Sequence, residues 1–203
     1  MCRDSTPLEK AVQFHGHICP GLIYGVKAAE FAMKYLEVEP DEDEELVAIV
    51  EHNSCGVDAI QAILSCTFGK GNLIFKDYGK HAYTVVSRKS GKALRMHLKF
   101  NRPRTPEEER YRALTEQEFL RPENKDEMEE LRGRILADLL SKPFQDLFYY
   151  EEVEVNIPDK AKIYPTVQCE VCKEGVMEPR ARRVEGKWIC QPCLERREGI
   201  KDV

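Results

Sequence analysis

An α+β fold is what this 203-residue sequence predicts: a mixed, largely antiparallel sheet with packed helices, followed by a small C-terminal treble-clef or zinc-ribbon module. Three observations point to it. Segments of helical period alternate with short β-branched runs from the N-terminus to about Lys160. "AYTVVSRKSGKALRMHLKF" reads as a hairpin, with Ala82–Arg88 and Leu94–Phe100 joined at Ser90-Gly91. Four of the eight cysteines fall in two C-x-x-C pairs near the C-terminus, between Thr166 and Val203. The expected division is a core domain over 1–160, with a helical region at 101–145, and a four-cysteine module over 165–203.

Each element has its own signal. Ser5 or Thr6 can cap a helix over 5–14, with Pro7 at its first position. "HGHICPG" is a loop. Pro20 can then open a second helix to about Tyr35, with Leu22, Val26, Ala29 and Met33 at helical spacing. "EPDEDEE" (Glu39–Glu45) is a solvated acidic loop. "LVAIVEH" (Leu46–His52) is a strand, Val57–Leu64 a helix, "TFGKGN" a stop and "LIFKDYG" another strand. "GKGN" lacks the flanking pattern of a phosphate loop. After the linker "NRPRTP", charged helices run from Pro106 to about Glu118 and from Asn124 to about Leu140. Phe148–Pro158 is a strand whose alternation suggests one exposed face.

Composition excludes several classes. No apolar run is long enough to span a membrane, and the N-terminus lacks the order of a secretory signal, so a cytoplasmic protein is expected. In that compartment clustered cysteines are ligands or nucleophiles rather than disulfides. Net charge is -5, and residues 166–203 carry 8 basic and 7 acidic side chains. That balance disfavours nucleic acid as a partner, although Arg180, Arg182, Arg183, Arg196 and Arg197 are present.

The late cysteines read Cys169-x2-Cys172-x17-Cys190-x2-Cys193. Each C-x-x-C turn aims two thiolates at one ion, and two turns complete a tetrahedral sulfur site suited to structural zinc. A redox dithiol pair fits this spacing less well. So short a segment cannot bury a core, and metal binding would supply its folding energy.

The second candidate is "QFHGHICPGL". His15, His17 and Cys19 alternate, so in an extended stretch they would share a face. Cys19 precedes Pro20 at a helix start, where the dipole favours a thiolate. Imidazole plus thiolate suits zinc or another transition metal. Cys55 also sits at a helix start and is the preferred fourth group, with Asp58 placed to cap that helix or orient a ligand. Cys66 lies about three helical turns further on, too far along one rigid helix for both cysteines to reach one ion. A lone cysteine or loop histidine can equally be structural, and His52, His81 and His97 are read that way.

"FHGHICPGLIYGVKAAEFA", "CGVDAIQAILSCTFGKGNL" and "KDYGKHAYTVV" together resemble the FmdE family, named for the E component of formylmethanofuran dehydrogenase, over roughly residues 8–100. The resemblance implies an α+β core, in some members with a treble-clef zinc finger, and a homodimer. It implies association with a molybdenum or tungsten oxidoreductase of methanogenesis, as an accessory component or a metal or cofactor handler. Carried over by motif, the core metal site falls on His15, His17, Cys19 and Cys55. Cys19, Cys55 and Asp58 are then the catalytic candidates, and Cys66, Lys70 and Asn72 the cofactor-binding ones. Two rivals remain at this level: a free-standing metalloenzyme using the Cys/His site, and a zinc-finger regulatory or nucleic-acid-binding module.

Overall fold

The computed structural model describes residues 5–116 and 124–197. The chain divides into two compact units, Met1–Lys160 and Ala161–Val203. Among the described residues no helix is long and apolar enough to cross a membrane.

The first unit opens on a reciprocal cap. The Thr6 side chain accepts the Glu9 N–H, and the Glu9 carboxylate accepts the Thr6 N–H at 2.7 Å, which starts α1 (Pro7–His15). α2 (Pro20–Leu36) buries Leu22, Val26, Ala29 and Ala32 at helical spacing. β1 (Leu46–Val50) follows, then α3 (Gly56–Leu64), β2 (Leu73–Phe75), β3 (Ala82–Ser87) and β4 (Ala93–Leu98). Next come α4 (Pro106–Thr115), α5 (Lys125–Ser141), the single turn α6 (Phe144–Leu147) and β5 (Phe148–Glu152). The expected end of α4 near Glu118 lies outside the described residues.

The sheet order is β2-β1-β3-β4-β5. β2 runs parallel to β1, and the remaining neighbours are antiparallel. β1 is buried along its whole length because both faces are covered. Ala48 and Val50, with Tyr83, Val85, Leu94 and Met96, pack against the helices. The alternate residues Val47 and Ile49, with Val86 and Ala93, form a separate cluster on the opposite face. Val153 and Val155 cover that second cluster. The strand expected over 148–158 therefore ends at Glu152. Beyond it the chain crosses the face of the sheet instead of extending it, and Arg88 Nη1 fixes the crossing by donating to the Pro158 carbonyl at 2.5 Å.

The two helices of the 101–145 region belong to the core of this unit. Ile135, Leu136 and Leu139 of α5, with Phe144 and Leu147, join the main cluster. Lys27 of α2 donates to the Leu140 and Lys142 carbonyls at 3.0 and 2.6 Å, satisfying acceptors left open at the end of α5.

α2 and α3 meet through glycine. Gly21 and Gly25 are one helical turn apart, on one face. A Cβ on Gly25 would lie 2.1 Å from the Gly56 carbonyl oxygen, and one on Gly56 would lie 2.1 Å from the Tyr83 hydroxyl. No side chain larger than hydrogen fits at either position without moving its neighbours.

In the second unit β6 (Thr166–Gln168) pairs with β7 (Gly175–Met177) around the first C-x-x-C turn. After a short 3-10 turn, β8 (Ala181–Val184) pairs with β9 (Lys187–Cys190). Glu185 and Gly186 join them, both at positive φ (50° and 79°), as a two-residue type I′ turn requires. The second C-x-x-C turn opens α7 (Gln191–Arg197). Knuckle, hairpin and helix-opening knuckle match the expected treble-clef or zinc-ribbon order. The stretch of the expected final helix beyond Arg197 lies outside the described residues.

Candidate functional site

Among the described residues two clusters of ligand-type side chains stand out, one in each unit. In each, the ligand atoms lie within 4.8 Å of one another.

The first comprises Cys169, Cys172, Cys190 and Cys193. Cys172 and Cys190 Sγ are 3.8 Å apart. Sulfurs about 2.3 Å from a common tetrahedral ion are separated by about 3.8 Å, so the donor set fits a metal. The electrostatics point the same way. Backbone N–H groups of Cys190 and Cys172 pull the Cys169 thiol down to about 6. The neighbouring Cys190 and burial push Cys193 up to about 12. Four thiolates this close repel one another unless a cation neutralises them.

The second comprises His15, His17 and Cys19. They converge, but not as alternate residues of an extended strand. His15 is the last residue of α1, and Gly16 turns back at φ 92°, in the left-handed region that suits glycine. That turn lays the His17 ring over the His15 ring, with centroids 4.5 Å apart. Cys19 is the N-cap of α2, and its Sγ accepts the Leu22 N–H at 3.4 Å. Two helix ends facing each other across a short turn thus produce the cluster.

Asp58 fixes the orientation of His15. Its Oδ2 lies 2.7 Å from His15 Nδ1, and His15 Nε2 faces Cys19 Sγ at 3.9 Å. A carboxylate on one imidazole nitrogen leaves the other free, in a set rotamer, to bind a metal. Asp58 comes from the first turn of α3 and is 43 residues from His15 in sequence. Cys55 caps α3 at the edge of this group. A Cβ built on Gly21 would lie 3.8 Å from Cys55 Sγ and 4.0 Å from Cys19 Sγ, so both thiols border the same small space. Burial, and then the Cys19 thiol beside it, raise the Cys55 pKa. Cys55 borders the three-residue cluster without belonging to the group whose ligand atoms lie within 4.8 Å of one another.

Cys66, Lys70 and Asn72 gather elsewhere, past the other end of α3, around Asp41. The buried Asp41 carboxylate accepts from Lys70 Nζ at 2.6 Å, Asn72 Nδ2 at 2.8 Å, the Leu46 N–H at 2.7 Å and the Glu44 N–H at 3.0 Å. Asn72 also gives a hydrogen bond to the Leu46 carbonyl. These side chains tie the acidic loop to the start of β1. Cys66 is fully buried, which pushes its thiol up to about 12 and makes it inert. Burial works to raise the Asp41 pKa, but the hydrogen bonds from Lys70, Leu46 and Glu44 outweigh it, and the net shift is downward. A depressed folded-state pKa gives stability that is present above the unfolded value, about 3.9, and lost as pH falls through the folded one. Asp41→Asn should therefore cost about 2 kcal/mol at pH 7. In urea titrations the gap to wild type should shrink below about pH 4; a gap that stays constant into acid would refute this role for the charge.

His52 is buried, against His81 and Tyr83 at centroid distances of 4.5 and 5.1 Å. Its Nδ1 accepts the Ser54 N–H at 3.2 Å, so the proton sits on Nε2, which has no partner among the described residues. Burial and the adjacent His81 hold its pKa down to about 4.

Sequence reading missed the surroundings of Cys19. A cavity of about 400 Å³ adjoins it, lined by Tyr24 of α2, Tyr111 of α4, Ile135 of α5 and three arginines, Arg102, Arg104 and Arg132. No local motif marks these residues, because all but Tyr24 come from elements far along the chain from Cys19.

Three comparisons with known proteins bear on this arrangement. Residues 14–149 match the family model described as FmdE, molybdenum formylmethanofuran dehydrogenase operon. A protein of Archaeoglobus fulgidus described as a probable S-adenosyl-L-methionine-binding protein is 34% identical over 183 residues, covering 86% of this chain and 50% of that protein. The chain thus spans about half the length of this curated relative. The crystal structure of a tungsten formylmethanofuran dehydrogenase FmdE-like protein from Syntrophus aciditrophicus superposes with a TM-score of 0.62. It shares 23% identity, with 97% of this chain and 92% of that one covered, a likeness of fold.

Proposed function

The chain belongs to the FmdE family, and on that premise we propose that it is a metal-binding protein with two sites of different character. The four-cysteine site is a closed structural zinc centre. The core site is an open one, in which His15, His17 and Cys19 hold a transition metal, zinc by the chemistry of the donors, with Cys55 in reserve at its edge. The observation that carries this reading is the Asp58–His15–Cys19 alignment, in which a carboxylate orients an imidazole toward a thiol.

When bound, the core metal supplies Lewis acidity and a coordination position beyond the three protein donors. The residues of the chain do the rest. Asp58 keeps the His15 proton on Nδ1. The Leu22 N–H steadies the Cys19 sulfur. Cys55 borders the same small space as Cys19. In the family context the protein serves as an accessory component or a metal or cofactor handler beside a molybdenum or tungsten oxidoreductase of one-carbon metabolism, and it works as a homodimer. The open cavity beside Cys19 also supports a second reading, a free-standing metalloenzyme acting on a molecule held there. The S-adenosyl-L-methionine binding named for the A. fulgidus relative is not carried over, since half of that protein has no counterpart here.

Metal analysis of the purified chain tests the two-site reading. Two equivalents of zinc are expected in wild type and one in Cys19→Ala, with the survivor showing four sulfur neighbours by X-ray absorption. A single equivalent in wild type, or unchanged content in Cys19→Ala, would remove the core site.

A further inference from the structure

The cavity beside the core cluster carries more information than its position. At about 400 Å³ it is within the range of pockets for small organic ligands. Its apolar walls come from Tyr24, Tyr111 and Ile135, and Cys19 is shared between this cavity and the His15–His17–Cys19 cluster. Its charges are unbalanced. Arg102 is committed: it pairs with Glu108 at 2.5 Å and donates toward the Tyr24 hydroxyl at 3.5 Å. Arg132 uses one N–H on the Ile18 carbonyl at 2.7 Å, leaving the other donors of its fork. Neither Arg104 nor Arg132 forms a salt bridge among the described residues. Three arginines against the single Glu108 carboxylate give the lining a net charge of two positive units, carried by Arg104 and Arg132 at its solvent-exposed rim.

We propose that this cavity binds a small organic anion, an unsaturated ring bearing a carboxylate or phosphate, with Arg104 and Arg132 meeting the anionic group while the ring lies against Tyr24 and Tyr111. Arginine forks match the planar oxygens of carboxylate and phosphate. A fixed Arg102–Glu108 pair shapes the wall without committing a free charge to the ligand. The inference deepens the reading of the core site, because it names the class of molecule presented to Cys19. Its recognition chemistry nevertheless belongs to the arginines and can be measured apart from the metal.

The test uses the full chain and calorimetric titration with phenyl phosphate, benzoate and the neutral phenol. The two anions should bind and phenol should bind at least about tenfold more weakly, the loss expected when a charged hydrogen-bonding group is removed. Affinity for phenyl phosphate should fall as salt is raised. The double variant Arg104→Ala/Arg132→Ala should lose about tenfold or more in affinity, and Arg104→Ala alone, which touches no residue of the cluster, should lose part of it with metal content and melting temperature unchanged. The lysine pair at the same positions should recover part of it. Equal binding of phenyl phosphate and phenol would overturn the proposal, as would an alanine double variant that binds like wild type. A missing core metal with anion binding intact would count against the metal reading alone.

Discussion

Removing the metal proposed for the second unit should unfold residues 166–197 while the first unit stays folded. The cluster of buried residues in this unit consists of Cys169, Ile189, Cys190 and Cys193, with Val176, Val184 and Leu194 only partly buried around it. One buried aliphatic side chain supplies about 2–3 kcal/mol at most. Zinc binding to such modules supplies about 10–16 kcal/mol near neutral pH. It is therefore the largest identifiable contribution, and its loss leaves the hairpins without support. The chain offers a clean reporter, since Trp188 is its one tryptophan. It lies in β9 with the Arg183 guanidinium 5.1 Å from its ring centroid. Chelation, or Cys169→Ser with Cys193→Ser, should red-shift Trp188 emission. Far-UV circular dichroism should retain the signal of α1, α2, α3 and α5. An emission spectrum unchanged after the metal is stripped would show that the module folds by other means.

The second large effect is expected at Gly25. By helix propensity alone, Gly25→Ala should stabilise α2 by up to about 1 kcal/mol. The close approach of α3 reverses the sign. The new methyl would lie 2.1 Å from the Gly56 carbonyl oxygen and 2.6 Å from its Cα, both backbone atoms that cannot swing aside. The helices must separate, and overpacking of this kind costs about 3 kcal/mol. Separation also has a functional readout: α3 carries Asp58 and Cys55, while α2 begins at Cys19. Pushing them apart carries Asp58, and the His15 it holds, away from Cys19, so the 3.9 Å approach of His15 Nε2 to Cys19 Sγ is lost, and the metal affinity of the proposed core site should fall about tenfold or more. Gly133 provides the control. It lies in α5 with nothing within 4 Å of a built Cβ, so Gly133→Ala should gain up to about 1 kcal/mol. If both variants were stabilised equally in urea titrations, the close helix contact would not restrict the residue at position 25.

Much of this architecture was legible in the sequence, because the signals concerned are local. The Thr6 cap and the Pro7 and Pro20 starts follow from groups a few residues apart, which chain geometry alone brings together. The β3–β4 hairpin and the two C-x-x-C knuckles are readable for the same reason. The convergence of His15, His17 and Cys19 was legible as a set of ligand-type side chains, but it has a different geometric cause: a left-handed turn between two helix ends. Asp58 as an orienting group was one of two options until α3 was docked on α1. Tertiary structure alone decided that Lys70 and Asn72 serve Asp41, that Val153 and Val155 cover the back of the sheet, and that arginines from beyond Phe100 meet Cys19 across a cavity. Those outcomes depend on which faces of distant elements are buried together. Such burial is a property of the packed core, since a charged side chain at an exposed helix position has the same local pattern whether it faces solvent or a pocket.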